Sequence, residues 1–140
     1  MAQTLFALAG TDPQPTPLSQ AVLVLIDIQN EYFDGPLELS GVKAARDVAA
    51  DLLSRARAVG APVIHISHLG QAGGAFDPEA ARGQTHASVA PIEGEPVVEK
   101  KLPNSYAGTK LAELLAAHPD RQPVFVGHMT HMCLSATVRS

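Results

Sequence analysis

The chain is short of the features that mark several protein classes. It has one cysteine in 140 residues, so no internal disulfide can form and a disulfide-dense secreted scaffold is excluded. Its 10 Lys and Arg are outnumbered by 14 Asp and Glu, a formal charge of −4, which is not the basic footprint of a nucleic-acid binder. No apolar stretch approaches the roughly 20 residues that cross a bilayer. The short apolar run at 5–9 has no positive charge ahead of it and does not read as a signal peptide. With a lone thiol and no leader, a cytoplasmic protein without membrane or nucleic-acid partners is expected. What is present is core material: 46% apolar residues against 17% charged, in a length that suits one domain.

Residues 1–19 read as an N-terminal arm, since Pro13, Pro15 and Pro17 leave little room for regular structure. Residues 20–140 read as the domain. Val22-Leu23-Val24-Leu25-Ile26 is a continuous, partly β-branched run, as in a strand covered on both faces of a parallel sheet. Val42, Ala45, Val48, Ala49, Leu52, Leu53 and Ala56 recur at helical spacing, and Gly60 supplies a left-handed residue to end that helix. Further strands are predicted at 62–67, 97–98 and 123–127. Helices are predicted at 110–117, with Thr109 as N-cap, and at 130–140. The alternation implies an α/β fold, a three-layer αβα arrangement around a mostly parallel, Rossmann-like sheet. Residues 69–95 form a long Gly-rich connection, of a length that is more often functional than idle.

In such sheets ligands bind outside the carboxyl ends of the strands. That rule selects Asp27 and Gln29 after the first strand, His68 after the second, Lys100 and Lys101 after the third, and 128–133 after the fourth. With Thr130 as N-cap, Cys133 would lie in the first helical turn, where backbone N–H groups and the helix dipole favour the thiolate. Otherwise it is a buried cysteine packing as a small hydrophobe. Asp27 reads as a general base for the thiol or as a structural carboxylate that binds loop amides. A lysine of the 100–101 pair would stabilise both charges, or the pair is simply solvated. The histidines do not read as a metal site. His65 and His68 are an odd number apart on a strand, and His128, His131 and Cys133 cross a strand–helix junction.

Three longer segments are more specific. They are Val22-Leu23-Val24-Leu25-Ile26-Asp27-Ile28-Gln29-Asn30-Glu31-Tyr32-Phe33, then Glu99-Lys100 leading to Pro103-Asn104-Ser105-Tyr106-Ala107-Gly108-Thr109, then Gly127-His128-Met129-Thr130-His131-Met132-Cys133. Together, and in this order, they resemble the isochorismatase-like cysteine hydrolases, a group that includes nicotinamidases and N-carbamoylsarcosine amidases. The resemblance implies a catalytic triad of Asp27, Lys100 and Cys133. Lys100 is preferred to Lys101 because the family lysine stands nine residues before the Thr of the Gly-Thr pair. It also implies a non-proline cis peptide between His128 and Met129, an oxyanion hole from the N–H groups of Met129 and Cys133, and a pocket that uses Gln29, Phe33, Tyr106 and Thr130.

The implied activity is hydrolysis of a C–N amide-type bond in a small-molecule substrate, through a thioester, in a homo-oligomer and with no cofactor. True isochorismatases cleave a vinyl ether and lack the cysteine, so Cys133 favours C–N chemistry. The segment Val63-Ile64-His65-Ile66-Ser67-His68 lacks the Asp-x-His metal signature of nicotinamidases, so no metal is expected. The resemblance also implies a domain that continues beyond Ser140. A non-catalytic truncated fragment or binding module is therefore the alternative expectation.

Overall fold

A computed structural model describes residues 4–11 and 14–140. The elements run α1 (Leu5–Leu8), β1 (Ala21–Ile26), α2 (Val42–Ala58), β2 (Val63–His68), β3 (Val97–Lys100), α3 (Leu111–Ala116), β4 (Gln122–Gly127) and α4 (Ser135–Val138), the last preceded by a π-helical turn at Thr130–Leu134. Part of the N-terminal arm, residues 1–3 and 12–13 with Pro13 among them, lies outside the described residues. Thr4 caps the single turn α1, whose Leu5, Phe6 and Leu8 are exposed. No helix among the described residues is long and apolar enough to cross a membrane.

The four strands form one parallel sheet in the order β3-β2-β1-β4. β1 is central, and all six of its residues are buried, which is why its sequence is a continuous apolar run rather than an alternating one. Leu23 and Leu25 face Ala49, Leu53 and Ala56 of α2, while Val22, Val24 and Ile26 face Val98, Leu111 and Cys133 on the opposite side. The αβα layering follows from that division of one strand between two cores.

α2 buries Val42, Ala49, Leu53 and Ala56, and Gly60 follows its C-cap at φ +66°. Ala45 and Val48, expected on the apolar face, are exposed, Val48 by 70%. Val48 lies about 110° round the helix from the stripe that packs, too far to reach the sheet. The helix expected from Lys110 begins at Leu111 with Lys110 at the N-cap position, although the Thr109 hydroxyl still accepts from the Leu111 N–H at 3.2 Å. Gly127 pairs with Ile26 at φ +145°, where a side chain would collide with the Ile26 carbonyl. Its lack of a Cβ lets β4 close on β1 at their carboxyl ends, beside the point where the winding of the sheet reverses.

At the amino ends of β2 and β3 a partly buried ionic network joins α2 to the sheet. Glu95 accepts from Arg57 Nε at 2.8 Å and Nη2 at 2.7 Å and from the Ile92 N–H at 3.1 Å, and lies 2.8 Å from His65 Nε2. Burial pushes the Glu95 carboxyl up, but these donors more than offset it and hold it at about 2. A carboxyl whose folded pKa lies below its unfolded one contributes fully above the ordinary carboxylate range and loses that contribution as pH falls through the folded value. Glu95→Gln is therefore expected to reduce the unfolding free energy by about 2 kcal/mol at neutral pH. The deficit relative to wild type should shrink steadily as pH is lowered from about 5 to about 2, which urea denaturation across that range would measure.

Candidate active site

Residues far apart in the sequence meet at the carboxyl edge of the sheet. Asp27 follows β1 in a left-handed backbone conformation, φ 52°, which an aspartate tolerates better than a branched residue. Lys100 ends β3, and Cys133 lies in the turn after β4. The ammonium is the hub. Lys100 Nζ lies 2.8 Å from Asp27 Oδ2, 3.1 Å from His68 Nδ1 and 3.2 Å from Cys133 Sγ, so its three protons face three acceptors. The side chains of Lys100 and Asp27 are completely buried.

The geometry explains why this position carries a lysine. β3 is separated from β1 by β2, about 9–10 Å at the usual strand spacing, a gap that only a long side chain from β3 can help to close. Alternation along β3 buries Val98 and Lys100 and exposes Val97 and Glu99. Lys101, beyond the strand, is exposed and takes no part. In the β2–β3 register His68 pairs with Lys100, which brings its imidazole to the ammonium.

His68 is positioned by Gln29. The Gln29 carboxamide accepts from the His68 N–H at 2.9 Å and donates to the His68 carbonyl at 3.0 Å and the Gly83 carbonyl at 2.6 Å. Gln29 was expected to line the substrate pocket. Instead it is fully buried, with its amide used on backbone groups, and it fixes the loop that carries His68.

Burial raises the pKa of Asp27, and the nearby Lys100 ammonium lowers it only in part. Burial, and then the Asp27 carboxylate, push the Cys133 thiol up against the opposing influence of Lys100. Burial and Lys100 lower His68, leaving a neutral imidazole whose Nδ1 lone pair meets the ammonium. The expected low-pKa thiol is thus corrected. Cys133 does not sit in a conventional turn capped by Thr130. Thr130 is exposed, Met129 holds the N-cap position without a side-chain cap, and the turn is π-helical. The sulfur is buried next to a carboxylate, so the resting site holds a neutral thiol beside an Asp–Lys ion pair.

The His128–Met129 peptide is cis. His128 is buried with its ring centroid 5.6 Å from that of Tyr32 and 6.1 Å from that of Phe33. Phe33 also packs on His86, while Phe76 touches both Tyr32 and His68. These rings form a continuous wall from His68 to His86. Burial lowers the pKa of all three histidines in it. Phe33 therefore belongs to this wall. Thr130 lines a depression of about 290 Å³ with Leu39, Ser40, Val42, His128 and Met129. Tyr106 lies on the other side of the sheet, packed against the core cluster that contains Cys133.

The 69–95 segment is tied down more firmly than its composition suggests. The Phe76 N–H donates to the fully buried Glu31 carboxylate at 2.9 Å, and Asp77 accepts from the N–H groups of Gly73 and Glu79. Phe76 adopts φ +54°, which turns its ring into the wall. Behind the nucleophile, Thr137 Oγ1 lies 2.7 Å from the Cys133 carbonyl and 2.8 Å from Ser105 Oγ, and accepts from the Ser105 N–H at 3.0 Å. Phe76 and Thr137 were not singled out in the sequence, and Glu31 and Ser105 stood only inside the longer segments with no role assigned. Glu31 carried a signal of its own, an acid four residues after Asp27 in a segment otherwise rich in large side chains.

Comparison with known proteins gives a consistent pattern. The isochorismatase domain family matches residues 21–140. The chain is 36% identical to a secreted isochorismatase effector of Verticillium dahliae, over 95% of this chain and 70% of the relative. It is 28% identical to a ureidoacrylate amidohydrolase of Azorhizobium caulinodans, over 90% of this chain and 73% of that protein. The crystal structure of an isochorismatase from Pseudomonas putida superposes with a TM-score of 0.90 at 45% identity, covering 99% of this chain and 72% of that one.

The opposed influences on the thiol can be tested directly. Asp27→Asn removes the charge that raises Cys133 and should speed alkylation by iodoacetamide roughly ten-fold near neutral pH, while Lys100→Met should slow it by a similar factor. Lys101→Met should leave the pH–rate profile of alkylation unchanged.

Proposed function

Since the chain belongs to the isochorismatase family, we propose that it is a hydrolase that cleaves a C–N amide-type bond of a small molecule through a thioester on Cys133. The observation that carries this reading is the single ammonium in contact with both a carboxylate and a thiol. A metal-free acyl transfer needs a base, a nucleophile and a fixed charge between them.

The steps follow from the local pKa values. Asp27, made a stronger base by burial, takes the Cys133 proton as the sulfur attacks the carbonyl carbon. Lys100 balances the charge while the proton moves within the trio. The tetrahedral oxyanion is held by the N–H groups of Met129 and Cys133, which belong to the N-cap and first turn of a helical segment, where N–H groups lack intrahelical partners. The C–N bond breaks and the amine leaves with the proton from Asp27. Water then attacks the thioester, Asp27 takes the proton of that water and returns it to the sulfur, and a carboxylic acid is released. Asp27 and Lys100 thus act on both half-reactions. The neutral ring wall and the depression beside Thr130 suit a small, uncharged, planar substrate.

A panel of primary amides, N-carbamoyl compounds and ureido compounds, with a vinyl ether included, tests the reading. Cys133→Ala is expected to lower kcat/KM on the best amide by about 10³-fold or more, and mass spectrometry of the wild-type enzyme in turnover should find the acyl adduct on Cys133. Undiminished turnover by Cys133→Ala, or hydrolysis of the vinyl ether alone, would overturn the thioester route. Binding without turnover across the whole panel would favour a binding module.

A further inference from the structure

The lysine at the centre of the site stands where a metal cation would stand. Asp27, His68 and Cys133 each offer one donor atom, and these atoms all lie within 4.8 Å of one another. The Lys100 ammonium touches all three. Zinc bonds of about 2.0–2.3 Å to O, N and S place tetrahedral ligands roughly 3.5 Å apart, so a modest contraction of this set would enclose the ion. We propose that Asp27, His68 and Cys133 form a binding site for a thiophilic divalent cation, zinc by its ligand preference, which enters by displacing the Lys100 ammonium and so blocks the nucleophile.

Several details of the donor set support this assignment. The His68 Nδ1 lone pair already points at a cation, with the His68 backbone clamped by Gln29 and its ring packed edge-on against Phe76. Asp27 is fully buried, and no hydrogen bond from a described residue reaches its Oδ1, so a carboxylate oxygen remains available inside the cage. A carboxylate, an imidazole and a thiolate match the mixed donors of zinc, with one position left for water or a small ligand. The balance is simple. One zinc ion binds, the Cys133 thiol gives up its proton to solvent, and Lys100 withdraws from the centre. The affinity therefore rises with pH. Among the described residues the other donors do not converge in this way. His65 is bound to Glu95, and His118 and His131 lie elsewhere on the surface.

The experiment is a titration of the purified protein with Co²⁺, reading the thiolate-to-metal charge-transfer band, followed by displacement with Zn²⁺. It needs no substrate, so it succeeds or fails independently of the amide-hydrolysis reading. One equivalent should bind, with the band absent in Cys133→Ser. Lys100→Ala, which removes the competing cation, should bind about ten-fold or more tightly, and His68→Phe about ten-fold or more weakly. If Lys100→Ala does not fold, the comparison of wild type with His68→Phe decides. A titration without the charge-transfer band overturns the proposal, as does a midpoint that is the same in wild type and His68→Phe.

Discussion

One buried ammonium sets the terms for the rest of this structure. A lysine side chain with no exposed surface is stable only if every proton finds an acceptor and the net charge is balanced close by. Lys100 meets both conditions through Asp27, His68 and Cys133, contributed after β1, by β2 and after β4. The parallel sheet, in the order β3-β2-β1-β4, brings those four positions to one edge. The close approach of β4 to β1 at Gly127 and the Gln29 clamp on His68 are fine adjustments of the same convergence. Here fold and site are one constraint seen at two scales.

The electrostatics of the trio fit a nucleophile that is activated only when needed. With its pKa raised, the thiol rests protonated, and the carboxylate beside it has had its basicity raised by the same burial. Little is gained by ionising the sulfur in the empty site. The gain comes when an electrophilic carbon and an oxyanion acceptor are in place. The lone pairs that hold the ammonium are also those a soft metal would use, so fixed charge and metal affinity are alternative uses of one donor set.

Much of this was legible in the sequence because it follows from periodicity. The unbroken apolar run of β1 reported a strand covered on both faces, and the strand-end positions alone point to the site. The choice of Lys100 over Lys101 came from the family resemblance, and the alternation along β3 that buries Val98 and Lys100 agrees with it. The rest depended on packing that no local pattern carries. The π-helical turn, the placement of Val48 off the apolar stripe, the inward turn of Gln29 and the dominance of burial over the lysine at Cys133 are decided by neighbours distant in sequence. Glu31 and Phe76 meet across 45 positions, a separation that hides their pairing from any motif.

The four-residue length of β3 has a consequence for how the domain proofreads its own assembly. So short an edge strand has few ladder hydrogen bonds to define its register, and a slip by one residue would turn every side chain to the opposite face. Such a slip would bring Glu99 inward and turn Lys100 away, leaving buried Asp27 without its counter-charge. The misaligned sheet is then penalised by electrostatics rather than by lost hydrophobic contact. The residues that do chemistry in the folded state thus act earlier as a register key that only the correct pairing satisfies.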